Sequence, residues 1–234
     1  MATFLICHGA WSGGWSWRKV RPLLRGAGHE VFTPTYTGLG ERAHLAHAMI
    51  DLETHVQDVL MVIEYEDLHD VVLVAHSYGG MVGTGVGDRV PERIRHLVYL
   101  DAFVPMSGQC LADLVGGVQQ LGSVAGWLLP PHPPAPDTSA ADVAWAAPRR
   151  RHQPARCFTQ KLRLAREVPP FPRSYIHCTK KEGADNFRQF ADRFRDDAGW
   201  RLYEMVASHS PNITEPEALA ALLISIGAKG PSVH

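Results

Sequence analysis

Ser77 stands in the stretch VVLVAHSYGG, residues 71–80. A serine hydroxyl is a weak nucleophile at its free pKa, and it reacts only when a base, an orienting acid and oxyanion donors are supplied around it. An apolar run, then x-His-Ser-x-Gly, then a glycine-rich helix is the pattern of a tight strand-to-helix turn that lifts a nucleophile out of a sheet. Gly79 and Gly80 keep the turn small on one side and Ala75 on the other, one methyl larger than the glycine usual there. The same turn aims the Tyr78 N–H at the space above Ser77. Gly83, Gly85 and Gly87 are expected to let the following helix pack closely on the strands. A second motif, His8-Gly9-Ala10-Trp11 followed by Ser12-Gly13-Gly14-Trp15, closes the first apolar run of the chain. Its Ala10 N–H pairs in this reading with that of Tyr78 as an oxyanion hole, each donor worth about 3 kcal/mol.

The base is chosen from thirteen histidines. His209, in VASHSPNITEPE, falls between the last strand and the last helix, where the order Ser…acid…His ends. His76 adjoins the serine, but its side chain is expected to point away from the cleft. His44 and His47 are three residues apart without a third ligand or a carboxylate motif, so no metal site is expected. The remaining histidines are read as surface or structural.

These groups need elements to hold them. Apolar β runs are expected over residues 3–7, 30–34, 71–75, 96–102, 173–179 and 200–206. Helical spacing is expected over 15–29, ending at Gly26 and Gly28, and over 51–68, with Asp51 as N-cap. Further helices follow from Gly79, over 184–197 and over 214–227, the last with Thr214 and Glu217 as a capping box. Strands alternating with helices imply βαβ units: an α/β fold with a doubly wound, mostly parallel sheet. Residues 103–172 break the alternation. They hold LPPHPPAPD (129–137), large apolar residues such as Leu114, Trp127, Trp145 and Phe158, and no clear strand. We read one domain over 1–234, with 103–172 as an insertion folded over the carboxyl edge of the sheet as a cap.

The 234 residues carry a formal net charge of −1 with 45% apolar and 20% charged residues, so no global field recruits nucleic acid or an acidic membrane. Arg149-Arg150-Arg151 is read as a solvated surface patch. No segment approaches the ~20 apolar residues that span a bilayer, and the N-terminus lacks a basic start and a long apolar run. Cys7, Cys110, Cys157 and Cys178 show no paired spacing; buried free thiols and a cytoplasmic location are expected. A homodimer is left open.

The stretches HGAWSGGWSWRKVRPLLRGAGHEVFTPTYTGLGERAHL, VVLVAHSYGG, HLVYLDAFVP and SHSPNITEPEALAALL resemble the α/β-hydrolase superfamily, in its bacterial carboxylesterase branch near plant methylesterases and hydroxynitrile lyases. The branch includes pyrethroid-type hydrolases. The resemblance carries the nucleophile, base and oxyanion loop onto Ser77, His209 and the Ala10 region. The lyases put threonine at Gly9 and lysine at Ser210, so the resemblance favours esterase over cyanohydrin cleavage. In the plant relatives the acid follows the strand equivalent to SYIHC in the pattern Cys-Thr-Glu-Asp; here that pattern reads Cys178-Thr179-Lys180-Lys181. A lysine cannot accept the imidazole N–H. Asp101, ending LVYLD at the same sheet edge, is the preferred acid, and Glu182 is the alternative. Asp185, which has the character of a helix N-cap, or no acid at all, remains behind these.

The implied reaction is hydrolysis of a small apolar or aromatic ester through an acyl-enzyme, with no metal and no organic cofactor. Trp11, Trp127, Trp145, Phe158 and Phe171 are the candidate walls of the substrate pocket. The alternatives are a cofactor-independent lyase or lactone hydrolase on the same site, and a non-catalytic small-molecule binder.

Overall fold

The computed structural model describes residues 1–118, 122–135, 137–181 and 183–228. Six parallel strands form the sheet: β1 (Thr3–Cys7), β2 (Glu30–Phe32), β3 (Val71–His76), β4 (Ile94–Leu100), β7 (Arg173–Cys178) and β8 (Trp200–Met205), in spatial order β2-β1-β3-β4-β7-β8. The order reverses direction at β1 and β3, so the loops after these strands diverge and leave a crevice at the carboxyl edge, where open α/β sheets bind ligands.

The central strands β1 and β3 are apolar on both sides because both faces of the sheet are covered there, while the edge strand β8 carries an exposed Glu204. Phe4, Ile6, Val72, Val74, Val98, Leu100 and Ile176 face one layer. There they pack with Val20 and Leu24 of α1 (Val20–Gly26) and with Leu219, Leu223 and Ile226 of α9 (Pro216–Ala228). Their neighbours Leu5, Cys7, Leu73, Ala75, Leu97, Tyr99 and Tyr175 face the other layer. That layer holds Val56 and Val59 of α2 (Leu52–Tyr65), Met81 and Val82 of α3 (Gly79–Arg89), and Phe190 and Phe194 of α7 (Arg188–Phe194). The alternation along each strand is the period of two that sends successive side chains to opposite faces. Asp51 caps α2, accepting from the Thr54 N–H at 3.1 Å.

Several elements are shorter or placed differently from the sequence expectation. The helix expected over 15–29 is a 3-10 turn (Gly14–Trp17) and then α1, because Pro22 has no N–H to bond back and so sits in a new first turn. The expected Thr214–Glu217 box does not form. Thr214 ends the short α8 (Pro211–Thr214) and donates its hydroxyl to the Ser210 carbonyl at 3.3 Å, while α9 starts afresh at Pro216. Of the three glycines expected to pack α3 on the strands, Gly83 meets the β3 residue Ala75. Gly85 instead faces Val56 of α2, and Gly87 faces the Phe171 ring.

The long connection from β4 to β7 carries α4 (Leu111–Leu114), β5 (Leu128–Leu129), α5 (Ala140–Ala146), β6 (Gln153–Pro154) and α6 (Arg156–Thr159). β5 and β6 pair antiparallel, which corrects the expectation of no strand; two-residue strands are too short to show alternation. The connection is tied to the rest by polar contacts. Lys19 binds Asp142 at 2.6 Å, and Asp88 accepts the Ala165 and Arg166 N–H groups at 2.9 and 3.1 Å. All four cysteines are buried and free. No helix among the described residues is long and apolar enough to cross a membrane.

Candidate active site

Three adjacent strands, β1, β3 and β4, run into non-glycine residues with positive φ: Trp11 at 57°, Ser77 at 56° and Asp101 at 42°. Side chains other than glycine, asparagine and aspartate rarely adopt this region, and such strain persists only where the surroundings enforce it. At Ser77 the enforcement is visible. Its N–H donates to the Leu100 carbonyl at 3.2 Å, and its carbonyl accepts from Phe103 and Gly80 at 3.2 and 3.0 Å. A Cβ on Gly79 would lie 2.0 Å from the Cys7 carbonyl oxygen, and one on Gly80 would lie 2.0 Å from that of Phe103. The backbones touch, so only glycine fits at either position.

The turn lifts the Ser77 hydroxyl to the His209 imidazole, with Oγ 2.9 Å from Nε2. His209 Nδ1 lies 2.6 Å from Asp101 Oδ2, so that nitrogen carries the proton and donates, and Nε2 is left to accept from the serine. Asp101 is fully buried at the end of β4. Its own N–H donates to the Ile176 carbonyl at 2.7 Å, and its Oδ1 accepts from the Cys178 N–H at 3.1 Å. Burial alone would raise its carboxyl pKa. The bonds and charges of His209 and Lys181, whose ammonium also donates to Oδ2, outweigh burial and hold it below the usual carboxylate range.

The other candidate acids stand apart from this line. Asp185 binds His177 at 2.8 Å and accepts the Phe187 and Arg188 N–H groups at 3.0 and 3.2 Å, closing the start of α7. Glu182 lies outside the described residues.

His76 departs from expectation. Its buried ring lies against the cleft, 5.0 Å from the His209 ring, and its Nε2 bonds the His209 carbonyl at 2.7 Å. Burial pushes its pKa down to about 3, so it is a neutral donor that anchors the backbone of His209. Phe187 completes the support, stacked on the imidazole at 4.6 Å and 12°. No sequence periodicity marked Phe187, because it sits in the turn before a short helix.

Ser77 and His209 open into a cavity of about 520 Å³. Gly9, Ala10 and Tyr78 line it beside Ser77, and among the described residues neither the Ala10 nor the Tyr78 N–H donates to a protein acceptor. Trp11 lines the cavity and joins it to the connection: its N–H donates to Gln153 Oε1 at 2.8 Å and its indole N–H to the Leu129 carbonyl at 3.0 Å. Phe158 also lines the cavity, 5.4 Å from the Trp11 ring. The other three predicted walls do not. Trp145 packs edge-on against Trp15, Phe171 is buried against Gly87, and the Trp127 carbonyl accepts from Ala155. Phe103, Leu111, Val115 and Phe187 take their place. Leu111 and Val115 are four residues apart, a spacing that could have marked an apolar face. Arg150 corrects the surface reading of its triplet: it lines the cavity, half-buried, and donates to the His132 carbonyl. Arg149 remains exposed over the Trp145 ring. His44 and His47 are exposed, and no cluster among the described residues could hold a metal ion.

The sequence profile of the Alpha/beta hydrolase family matches residues 4–222. The carbendazim hydrolyzing esterase of Nocardioides sp. (strain SG-4G) is 39% identical, covering 97% of this chain and 100% of that protein. Salicylic acid-binding protein 2 of Nicotiana tabacum is 28% identical over 97% of each chain. Among solved structures, an extracellular α/β-hydrolase from a Paenibacillus species superposes with a TM-score of 0.84 at 27% identity, covering 98% of this chain and 100% of that one. With the strand order, the serine turn and these relatives in agreement, the chain belongs to the alpha/beta hydrolase family.

Proposed function

We propose that the protein is a serine carboxylesterase that hydrolyses small apolar or aromatic esters through an acyl-enzyme. One observation carries the reading: the unbroken line Ser77 Oγ–His209 Nε2–Asp101 Oδ2, at 2.9 and 2.6 Å, opening into an aromatic-walled cavity. His209 takes the Ser77 proton as Oγ attacks the ester carbonyl carbon, and the carbonyl electrons move onto oxygen. The Ala10 and Tyr78 N–H groups receive that oxyanion. As it collapses, the C–O bond to the alcohol breaks and the alcohol leaves with the proton from His209. Water repeats the sequence, giving its proton to His209, and frees the acid and Ser77. Asp101 keeps the imidazole in the required tautomer and stabilises the imidazolium. The β4–β7 connection serves as a cap over this site. The buried, free cysteines suit a reducing compartment such as the cytoplasm.

Two features favour esterase over cyanohydrin lyase. Ser210 stands where the lyases carry lysine, so the residue after His209 supplies no cation. A Cβ at Gly9 would meet His76 Nδ1 at 3.0 Å and Ser77 Cβ at 3.3 Å, so threonine there would crowd the nucleophile. The test is turnover of p-nitrophenyl, aryl and methyl esters, with carbendazim, a methyl carbamate on an aromatic heterocycle, added because of the Nocardioides relative. Fluorophosphonate labelling of wild type and of Ser77→Ala accompanies it. Ester turnover and labelling that both vanish in Ser77→Ala are expected, with negligible cyanide from mandelonitrile. An unlabelled, inactive wild type would leave a binding protein, and cyanide release at the ester rate would leave a lyase.

A further inference from the structure

Lys181 occupies the position at which the resemblance would place an acid, and it is not idle there. It sits on the loop between β7 and α7 with its side chain only 14% exposed, and its ammonium donates to Asp101 Oδ2, the oxygen that also accepts from His209 Nδ1. Its Nζ lies 5.1 Å from the centre of the Phe187 ring, the ring that stacks on the His209 imidazole. The loop that carries it is pinned just before the lysine to the end of β8: Lys180 N–H donates to the Ala207 carbonyl at 3.0 Å and Thr179 N–H to the Met205 carbonyl at 2.9 Å. The lysine and the histidine therefore meet on one carboxylate oxygen and one aromatic ring.

We propose that Lys181 is a positioning residue that sets the acid limit of the reaction: it holds Asp101 toward His209 and offsets part of the carboxylate charge, so that His209 stays an unprotonated base to lower pH than an Asp–His pair alone would permit. The proposal rests on the serine-esterase reading above. An opposite charge favours the charged form of a neighbour, and an added cation on the same carboxylate works against imidazolium. Among the described residues the groups facing His209 are few, and Arg150 lines the same cavity from the connection. Asp101 comes from β4 and Lys181 from the β7–α7 loop. His76 comes from β3 and is kept neutral by burial. His132 comes from the connection, and burial, then Arg150 and His209, lower its pKa. Asp185, on the same loop as Lys181, is taken up by His177. Among the described residues Lys181 is thus the full cation in contact with the Asp101 carboxylate.

The pH dependence of kcat/KM on p-nitrophenyl acetate tests this with wild type, Lys181→Gln, Lys181→Arg and Ser77→Ala, each shown to be folded by circular dichroism. Glutamine keeps a donor and drops the charge; arginine keeps both. The acid limb of Lys181→Gln is expected to move up by about one pH unit, an approximately tenfold loss at a pH below both limbs, with KM within about twofold. Lys181→Arg is expected to keep the wild-type limb. A limb unmoved in Lys181→Gln overturns the proposal, and so does one moved equally in Lys181→Arg, which would make the lysine a shape-filling residue. Activity surviving in Ser77→Ala would instead overturn the serine reading, whatever Lys181 does.

Discussion

The cavity has two walls built by different means. The sheet wall places Ser77, Asp101, His209 and the Ala10 loop at the ends of β1, β3, β4 and β8, and the polar atoms of Ser77, Asp101 and His209 are tied by hydrogen bonds to neighbouring strands or loops. The facing wall, from the β4–β7 connection, offers His132, Pro133, Arg150 and Phe158 from helices of four to seven residues, a two-residue strand pair and the loops between them. Its turns carry positive-φ Gly108, Gly116, Gly122 and Gly126, none with anything within 4 Å of an added Cβ. Crowding enforces the geometry of the first wall, and chain entropy alone opposes that of the second. The first is suited to fixing a reaction and the second to varying what reacts.

The contrast breaks most sharply at the sheet wall. Ser77→Ala removes one hydroxyl and leaves the fold, and kcat on an activated ester is expected to fall by about 10⁴-fold or more. Asp101→Asn is expected to cost about 10⁴ through the wrong imidazole tautomer. Steady-state assays on protein folded by circular dichroism check both, and a variant retaining a tenth of wild-type kcat would remove that residue from the reaction.

Acid should also strike the sheet wall. Burial pushes His8 and His76 down to about 3 and His55 and His96 to about 4, against 6.5 in an unfolded chain. Between those values the unfolded chain binds more protons than the folded one, so the stability these residues confer is complete above pH 6.5 and is lost as the pH falls toward 4. Tm measured by calorimetry is expected to drop through this window, and a Tm constant from pH 7 to about 4.5 would mean that these rings are protonated in the fold.

The facing wall should respond in binding rather than in chemistry. Phe158→Ala, and Trp11→Ala where the loop after β1 meets the connection, are each expected to raise KM for an aryl ester by about tenfold, since each ring buries apolar substrate surface worth roughly 1.5 kcal/mol. Trp145→Ala, off the cavity, should leave KM within about twofold; equal effects at Trp11 and Trp145 would erase the distinction between lining and supporting aromatics. The smallest effect is expected at Asp185→Asn. Losing the charge at the start of α7 should cost about 0.5 kcal/mol in a urea titration, with kcat close to wild type. A collapse of kcat there would shift the acid into the later loop.

The sheet was legible because its central strands are buried on both faces and read as continuous apolar runs, and because the tight turn at Ser77 tolerates so few residues. His209 was legible from its place before the last helix. Asp101 needed the absence of an acid at Lys181 as well as the strand end it occupies. Phe187, His76 and Arg150 were not legible in their roles. Each acts through a contact between segments distant in sequence, the first two with His209 and the third with His132, and periodicity does not encode such contacts. For the same reason Trp127, Trp145 and Phe171 were misplaced: an aromatic in a short or irregular segment declares that it will be at least partly covered, not against what.

The bond from His76 to the His209 carbonyl has a mechanical consequence. The residue before Ser77 holds the backbone of His209, 133 positions away, at 2.7 Å. A slide of β3 along its axis therefore carries the serine and drags the histidine loop with it. Ser77 Oγ and His209 Nε2 are thus points on one lever, not the tips of two springs.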